Sequence, residues 1–202
     1  MSAKRRAKLT GRKRGPYKRA AEAKESGKPL HPANPFAIAA IRFLLLTGWR
    51  ESEALTLKWT DVNLDRGTAT LPDTKTGRSQ RVLGAPARLL LSNLPRVGES
   101  PFVFPGAAAE KPLTEISRVW YAVRAAATLD DVRLHDLRHS FASVSASSGG
   151  SLLLIGKLLG HKDTATTSRY AHLLDDPVRE AADTASNMLT EWLAGRGAAA
   201  RG

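Results

Sequence analysis

The run His135-Asp136-Leu137-Arg138-His139, followed by Leu159-Gly160-His161 and then Tyr170, concentrates groups that act on phosphate esters. An arginine can present a bidentate fork to two phosphate oxygens, and a histidine can donate a hydrogen bond or move a proton near neutral pH. A phenol can attack phosphorus once its proton is removed. Read together, the residues predict a grip on a phosphodiester with Tyr170 as nucleophile. Simpler readings stay open at this point. His135, Arg138 and His139 could be the ordinary polar face of a surface helix, and Tyr170 a half-buried aromatic. The His-x-x-x-His pair of His135 and His139 also matches half a zinc site, although no HExxH glutamate accompanies it and Arg138 would sit beside the metal.

Helices must position these groups. Leu137, Phe141 and Val144 share one period, which predicts a helix from about His135 to Ser147 with those three towards the core and the His/Arg trio on another face. Gly149-Gly150 break it. Ser151 then caps a helix with the apolar stripe Leu152, Ile155, Leu158, Leu159, and Gly160 stops that helix and delivers His161. Asp163 is the expected cap of a third short helix through Tyr170. Pro177 opens a final amphipathic segment to about Leu193.

Upstream, Phe36 to Leu46 is apolar almost all round, as a buried helix is, and Gly48 can end it, so that Arg50 follows a tight turn. Glu51 to Lys58 reads as a second short helix, in which Glu53 stands three residues from Arg50 and could orient it. Val62 to Leu64, Thr68 to Leu71 and Gln80 to Leu83 are strand-like and are separated by Gly67 and by Pro72 to Gly77. This predicts a small antiparallel sheet with Lys75 at a hairpin tip. Helices follow at Pro86 to Leu94 and around Ile116, Val119, Trp120 and Val123, with a Pro/Gly-rich connection between them. The fold class is therefore mainly α with a small antiparallel β-sheet (α+β).

The 202 residues carry a formal charge of +12, which favours a polyanionic partner. Residues 1–28 hold eleven Lys or Arg against two Glu, or +9, and leave only +3 for the rest. The organisation expected is a basic arm over 1–28, one catalytic-sized domain over 29–193 and a flexible tail over 194–202. With no cysteine, disulfides, thiolate metal sites and cysteine nucleophiles are excluded. No apolar run approaches a membrane span, and no h-region follows the basic start, so a soluble cytoplasmic protein is expected.

Two further motifs precede the His135 stretch: Thr47-Gly48-Trp49-Arg50-Glu51-Ser52-Glu53 and Thr74-Lys75-Thr76-Gly77-Arg78. Taken in order, with Leu-Lys-Trp at 57–59 and Tyr-Ala-His at 170–172, they resemble the tyrosine recombinases of the phage integrase family over roughly residues 36–175. The resemblance implies the tyrosine recombinase catalytic-domain fold and a catalytic set of Arg50, Lys75, His135, Arg138, His161 and Tyr170. It assigns Arg50 and Arg138 to the non-bridging phosphate oxygens and Lys75, with Arg78 as a nearby basic alternative, to protonation of the leaving 5′-oxygen. His135 would assist proton transfer at the nucleophile, and His161 would hydrogen-bond the scissile phosphate. The implied activity is site-specific recombination of double-stranded DNA through a 3′-phosphotyrosyl intermediate, with no cofactor or metal. Implied partners are further copies of the chain, as a tetramer on DNA, and accessory DNA-bending proteins. Only about 35 residues precede the first catalytic-domain helix, too few for the separate core-binding domain usual in the family. The alternative implied is a non-catalytic DNA-binding remnant or regulator derived from an integrase.

Overall fold

The computed structural model describes residues 34–199 except 75, 76, 109, 115, 130, 162 and 163. The arm over 1–28, the hairpin residue Lys75 and the cap expected at Asp163 lie outside the described residues. The first helix, α1, is Pro35–Thr47. Asn34 caps it by accepting from the Phe36 amide at 3.0 Å, and Pro35 supplies the pre-set first-turn φ. Gly48 ends it at φ 64°, a left-handed conformation that glycine adopts without strain. A Cβ at Gly48 would meet Phe141 and Leu159 at 2.6 and 2.8 Å, so glycine is also required by the close approach of two later helices.

Helix α2 is Glu51–Leu55, shorter than the expected segment to Lys58, because Leu57 and the extended Lys58 leave helical geometry to pair with the later connection before a 3₁₀ turn, Trp59–Asp61. The Trp59 amide donates to the Pro101 carbonyl at 2.9 Å and the Val103 amide to that of Leu57 at 2.9 Å. The connection is thus pinned rather than loose, and it buries Val103 and Phe104 completely. Strands β1 (Val62–Asn63), β2 (Thr68–Thr74) and β3 (Gly77–Val82) form the antiparallel sheet in the order β1-β2-β3. The register pairs Ala69 with Arg81 and Leu71 with Ser79.

Helices α3 (Ala85–Ser92), α4 (Ser117–Ala127), α5 (Asp136–Ser147) and α6 (Leu152–Leu159) come close to their expected places. Ser151 caps α6 by accepting from the Leu154 amide at 3.3 Å. The main core gathers Phe43, Trp49, Phe104, Leu57, Leu91 and Ile116 between α1, the sheet side and α3–α4, with Phe43 edge-on to Trp49 at 5.2 Å. Burying side chains of this size contributes about 1.5–3 kcal/mol each. A second, smaller cluster of Ala142, Ala146, Ile155, Leu159 and Tyr170 joins α5 and α6 to the segment that carries the tyrosine.

Two expectations are corrected. The segment to Tyr170 is not an α-helix but two 3₁₀ turns, Thr164–Thr166 and Ser168–Leu173, the tighter geometry suiting a short connection packed across α5. Val144 is 67% exposed. The buried positions of α5 are instead Leu137, Arg138, Ala142 and Ala146, so Arg138 is buried while His135 is exposed. The last helix, α7, is Asp175–Ala199 and runs into the segment expected to be a tail.

Candidate active site

Arg138 is only 6% exposed. A buried guanidinium needs acceptors, and two helix ends provide them. Its Nη1 donates to the Gly48 carbonyl at 2.6 Å and its Nη2 to the Leu159 carbonyl at 2.9 Å. Both carbonyls stand where an α-helix leaves its last C=O groups unpaired and carries partial negative charge. Arg138 therefore ties α1, α5 and α6 together and keeps donors to spare, since a guanidinium has five N–H groups. Burial, followed by the neighbouring Arg50, pulls its pKa down to about 10, which still leaves it charged at neutral pH.

Arg50 begins α2 at the protein surface, with its side chain 47% exposed. Glu53 holds it twice: Arg50 Nη1 donates to Glu53 Oε1 at 2.7 Å, and the Arg50 amide donates to Oε2 at 3.1 Å, the reach-back of a capping box. The orienting role expected of Glu53 has this geometric basis. The same carboxylate also accepts from Arg81 Nη2 at 3.2 Å. Arg81 comes from β3, is 3% exposed, and has its guanidinium packed on Gly160, where any Cβ would overlap it. Burial outweighs the attraction of Glu53 and lowers the Arg81 pKa.

His161 leaves α6 immediately after Gly160, and its amide donates to the Gly156 carbonyl at 2.8 Å. Its Nδ1 lies 2.8 Å from Oγ1 of the fully buried Thr167. Desolvation first, then the Arg138 and Arg50 cations, push the imidazole down to about 4, so the ring is neutral at pH 7. When Thr167 donates to Nδ1, the other ring nitrogen carries the proton and is the donor.

Tyr170, on the second 3₁₀ turn, is 6% exposed, and burial raises the pKa of its phenol against the pull of Arg169 and Arg138. Its Oη lies 2.6 Å from Nδ1 of His139. His135, one turn earlier, is exposed and meets His139 edge to face with ring centroids 5.1 Å apart. A shallow cleft beside Arg138 is lined by Leu44, Trp49, Glu51, Leu134, His135 and Leu137, and partial burial there raises the Glu51 pKa.

Arg138 is thus near enough to act on both His161 and Tyr170, and Arg50 on Arg138 and His161, with His135 lining the cleft beside Arg138. Sequence reasoning gave no role to Arg81 or Thr167 and left His139 without a task of its own. Arg81 had one signal, an arginine inside a strand beside hydrophobic neighbours. Thr167 had none. Among the described residues no three His, Asp or Glu side chains are grouped to hold a metal ion, and His139 Nδ1 is directed at Tyr170. Nor is any helix among them long and apolar enough to cross a membrane.

A mainly helical domain with a three-stranded antiparallel sheet, gathering arginines, histidines and a tyrosine at one end, is the catalytic-domain fold of the tyrosine recombinases. The catalytic domain of bacteriophage HP1 integrase shares it at a TM-score of 0.55 and 28% identity, over 83% of this chain and 90% of that one. XerH site-specific recombinase, solved with a palindromic difH substrate, shares the fold at a TM-score of 0.58 and 24% identity, over 83% of this chain and 50% of that one. The chain belongs to the phage integrase family, whose model matches residues 21–176. It is 36% identical over 143 residues to tyrosine recombinase XerC of Xanthomonas axonopodis pv. citri, across 67% of this chain. The match takes in 46% of that XerC, so the chain spans about half the length of the curated relative.

Proposed function

We propose that this chain cleaves and rejoins double-stranded DNA as a site-specific recombinase, with Tyr170 as nucleophile. The observation that carries the reading is buried Arg138, which acts on both His161 and the buried Tyr170 while Arg50 acts on Arg138 and His161, four residues from separate parts of the chain linked through one guanidinium. Tyr170 Oη attacks the scissile phosphorus, the P–O5′ bond breaks, and a 3′-phosphotyrosyl bond forms. Charge then accumulates on the non-bridging oxygens. Arg50, held by Glu53, and the spare donors of Arg138 face that charge, and each such preorganised donor is worth on the order of a hundred- to a thousandfold in rate. His161, neutral and oriented by Thr167, adds a hydrogen bond to the phosphate. His135 assists proton transfer at the nucleophile, and Lys75 protonates the departing 5′-oxygen. The phosphotyrosyl bond conserves the energy of the broken phosphodiester, so rejoining requires no external energy source.

The difH substrate in the XerH complex supports DNA as the partner, and a reaction on DNA fits the cytoplasmic setting expected from the sequence. Strand exchange pairs sites within a tetramer, with accessory DNA-bending proteins setting their geometry. Exposed Val178, Met188 and Leu189 on α7 offer an apolar surface for a neighbouring copy. The basic arm over 1–28 contributes phosphate contacts that add affinity without sequence information.

The test uses a nicked duplex library with a randomised segment, from which covalent protein–DNA adducts are recovered under denaturing conditions. Adducts formed by the wild type and absent in Tyr170→Phe are expected. Equal adducts from both proteins would remove Tyr170 as the nucleophile, and none from either would favour a non-catalytic remnant.

A further inference from the structure

The proposed six-residue set leaves the proton of the Tyr170 phenol without an acceptor in contact with it. His135 is exposed and stands behind His139, whereas His139 Nδ1 is 2.6 Å from the phenolic oxygen. Among the hydrogen bonds of the described residues, this is the one that engages the Tyr170 hydroxyl. The pairing comes from the fold. His139 lies on α5 next to buried Arg138, and the 3₁₀ turn carrying Tyr170 packs across α5, so the phenol is laid against the imidazole.

Accepting a proton requires a neutral ring. Burial first, then His135 and Arg169, lower the His139 pKa, with Arg133 adding to them and Asp136 opposing. These groups and Tyr170 are the charged and titratable neighbours of the ring. Asp136 is itself held by Arg133 at 3.1 Å, which directs its carboxylate away from serving as the base. His139 at neutral pH therefore carries a free lone pair on one nitrogen, and Nδ1 is the nitrogen that faces the phenol.

We infer that His139 is the immediate acceptor of the Tyr170 proton in strand cleavage and returns it in rejoining, with the exposed His135 standing between His139 and solvent. The inference rests on the proposed role of Tyr170 as nucleophile. In cleavage the Oη–P bond forms as P–O5′ breaks, the phenolic proton passes to His139 Nδ1, and the 5′-oxygen takes a proton from Lys75. In rejoining the 5′-hydroxyl attacks phosphorus and gives its proton back to the Lys75 amine, the Oη–P bond breaks, and the imidazolium protonates the leaving phenolate.

The decisive variant is His139→Asn, whose amide oxygen stands near the position of Nδ1 and can accept the hydrogen bond but not the proton. Adduct formation on a nicked duplex recovered from the library is followed from pH 5 to 9, beside wild type, Tyr170→Phe and His139→Ala, with fold and DNA affinity checked by circular dichroism and gel shift. General-base loss predicts a fall of about 10²–10⁴-fold in both His139 variants. It also predicts loss of the acidic limb, which the wild type shows below the usual histidine pKa. A His139→Asn protein that cleaves at the wild-type rate with an unchanged pH profile, while Tyr170→Phe is inert, overturns the role of His139 alone. Adducts from Tyr170→Phe would overturn the reading on which it rests. Should His139→Asn misfold, ¹⁵N NMR of the wild-type ring decides: neutral, with Nδ1 unprotonated, at pH 7 is expected, and a protonated Nδ1 overturns the inference.

Discussion

Replacing Arg138 separates the stability of this site from its chemistry. Two charge-assisted hydrogen bonds to the Gly48 and Leu159 carbonyls contribute about 1.5–3 kcal/mol each. Against them stands the cost of burying the cation near Arg50 and Arg81. The fall of the Arg138 pKa from the ordinary guanidinium value to about 10 corresponds to about 3 kcal/mol. The arginine is thus nearly neutral for folding, between about zero and 3 kcal/mol in its favour. Arg138→Lys keeps the buried charge, but its single ammonium cannot span both carbonyls, so one is left without its donor at about 1–3 kcal/mol. Arg138→Met leaves both carbonyls without donors, at about 1–3 kcal/mol each, but removes the cost of about 3 kcal/mol of burying the cation, and so should lie within about 3 kcal/mol of the wild type. Both should lose on the order of a hundred- to a thousandfold in adduct formation, because neither presents a fork to phosphate. Urea unfolding followed by circular dichroism, with adduct formation on nicked duplex, reads the two effects separately. Arg138→Lys activity within tenfold of the wild type would refute the phosphate role. An Arg138→Met loss well beyond 3 kcal/mol would refute the energy balance.

Three other perturbations test neighbouring parts of the site. The folded-state pKa of His161, about 4, lies below the ordinary 6.5, so its contribution to stability is present above about pH 6.5 and is lost as pH falls towards 4. The full shift is about 3 kcal/mol, which solvent screening of this partly exposed ring reduces to roughly 1; His161→Gln should flatten that dependence in urea titrations, and an unchanged slope would contradict it. Glu53→Ala leaves buried Arg81 without its carboxylate and should cost about 3 kcal/mol, measured by thermal unfolding, with a loss under 1 kcal/mol counting against the shared bridge. Deleting residues 1–28 should flatten the fall of DNA affinity with salt, read by gel shift across a salt series, and an equal slope would remove the arm as a phosphate contact.

Helices marked by apolar stripes and punctuated by Gly48 and Gly160 were legible in sequence because capping and periodicity are local effects. The family order of Arg50, His135, Arg138, His161 and Tyr170 was legible for the same reason, as spacing along the chain. Contacts between distant segments were not. Val144 completed a plausible apolar stripe, yet the inward position on α5 went to Arg138, because helix-end carbonyls from α1 and α6 meet there and only a donor satisfies them. Likewise Val82 faces out and Arg81 in, since a carboxylate from α2 waits beneath β3. No periodicity reports an acceptor supplied from elsewhere in the chain.

The same contacts explain how a domain with a small net charge can still attract phosphate. Arg50, Arg81 and Arg138 lie near one another, and Glu53 is the carboxylate that bridges two of them. Burial first, and then these cations, depress the His161 pKa, while at Tyr170 burial raises the pKa and Arg169 and Arg138 oppose it. Packing Arg81 against Gly160 and anchoring Arg138 on helix ends fixes those charges before any substrate arrives. A phosphodiester entering beside Arg50 would meet donors that need little reorganisation, which is where electrostatic catalysis gains most. On the proposed reading long-range attraction is then a separate task, for which the arm over 1–28 has a charge of +9.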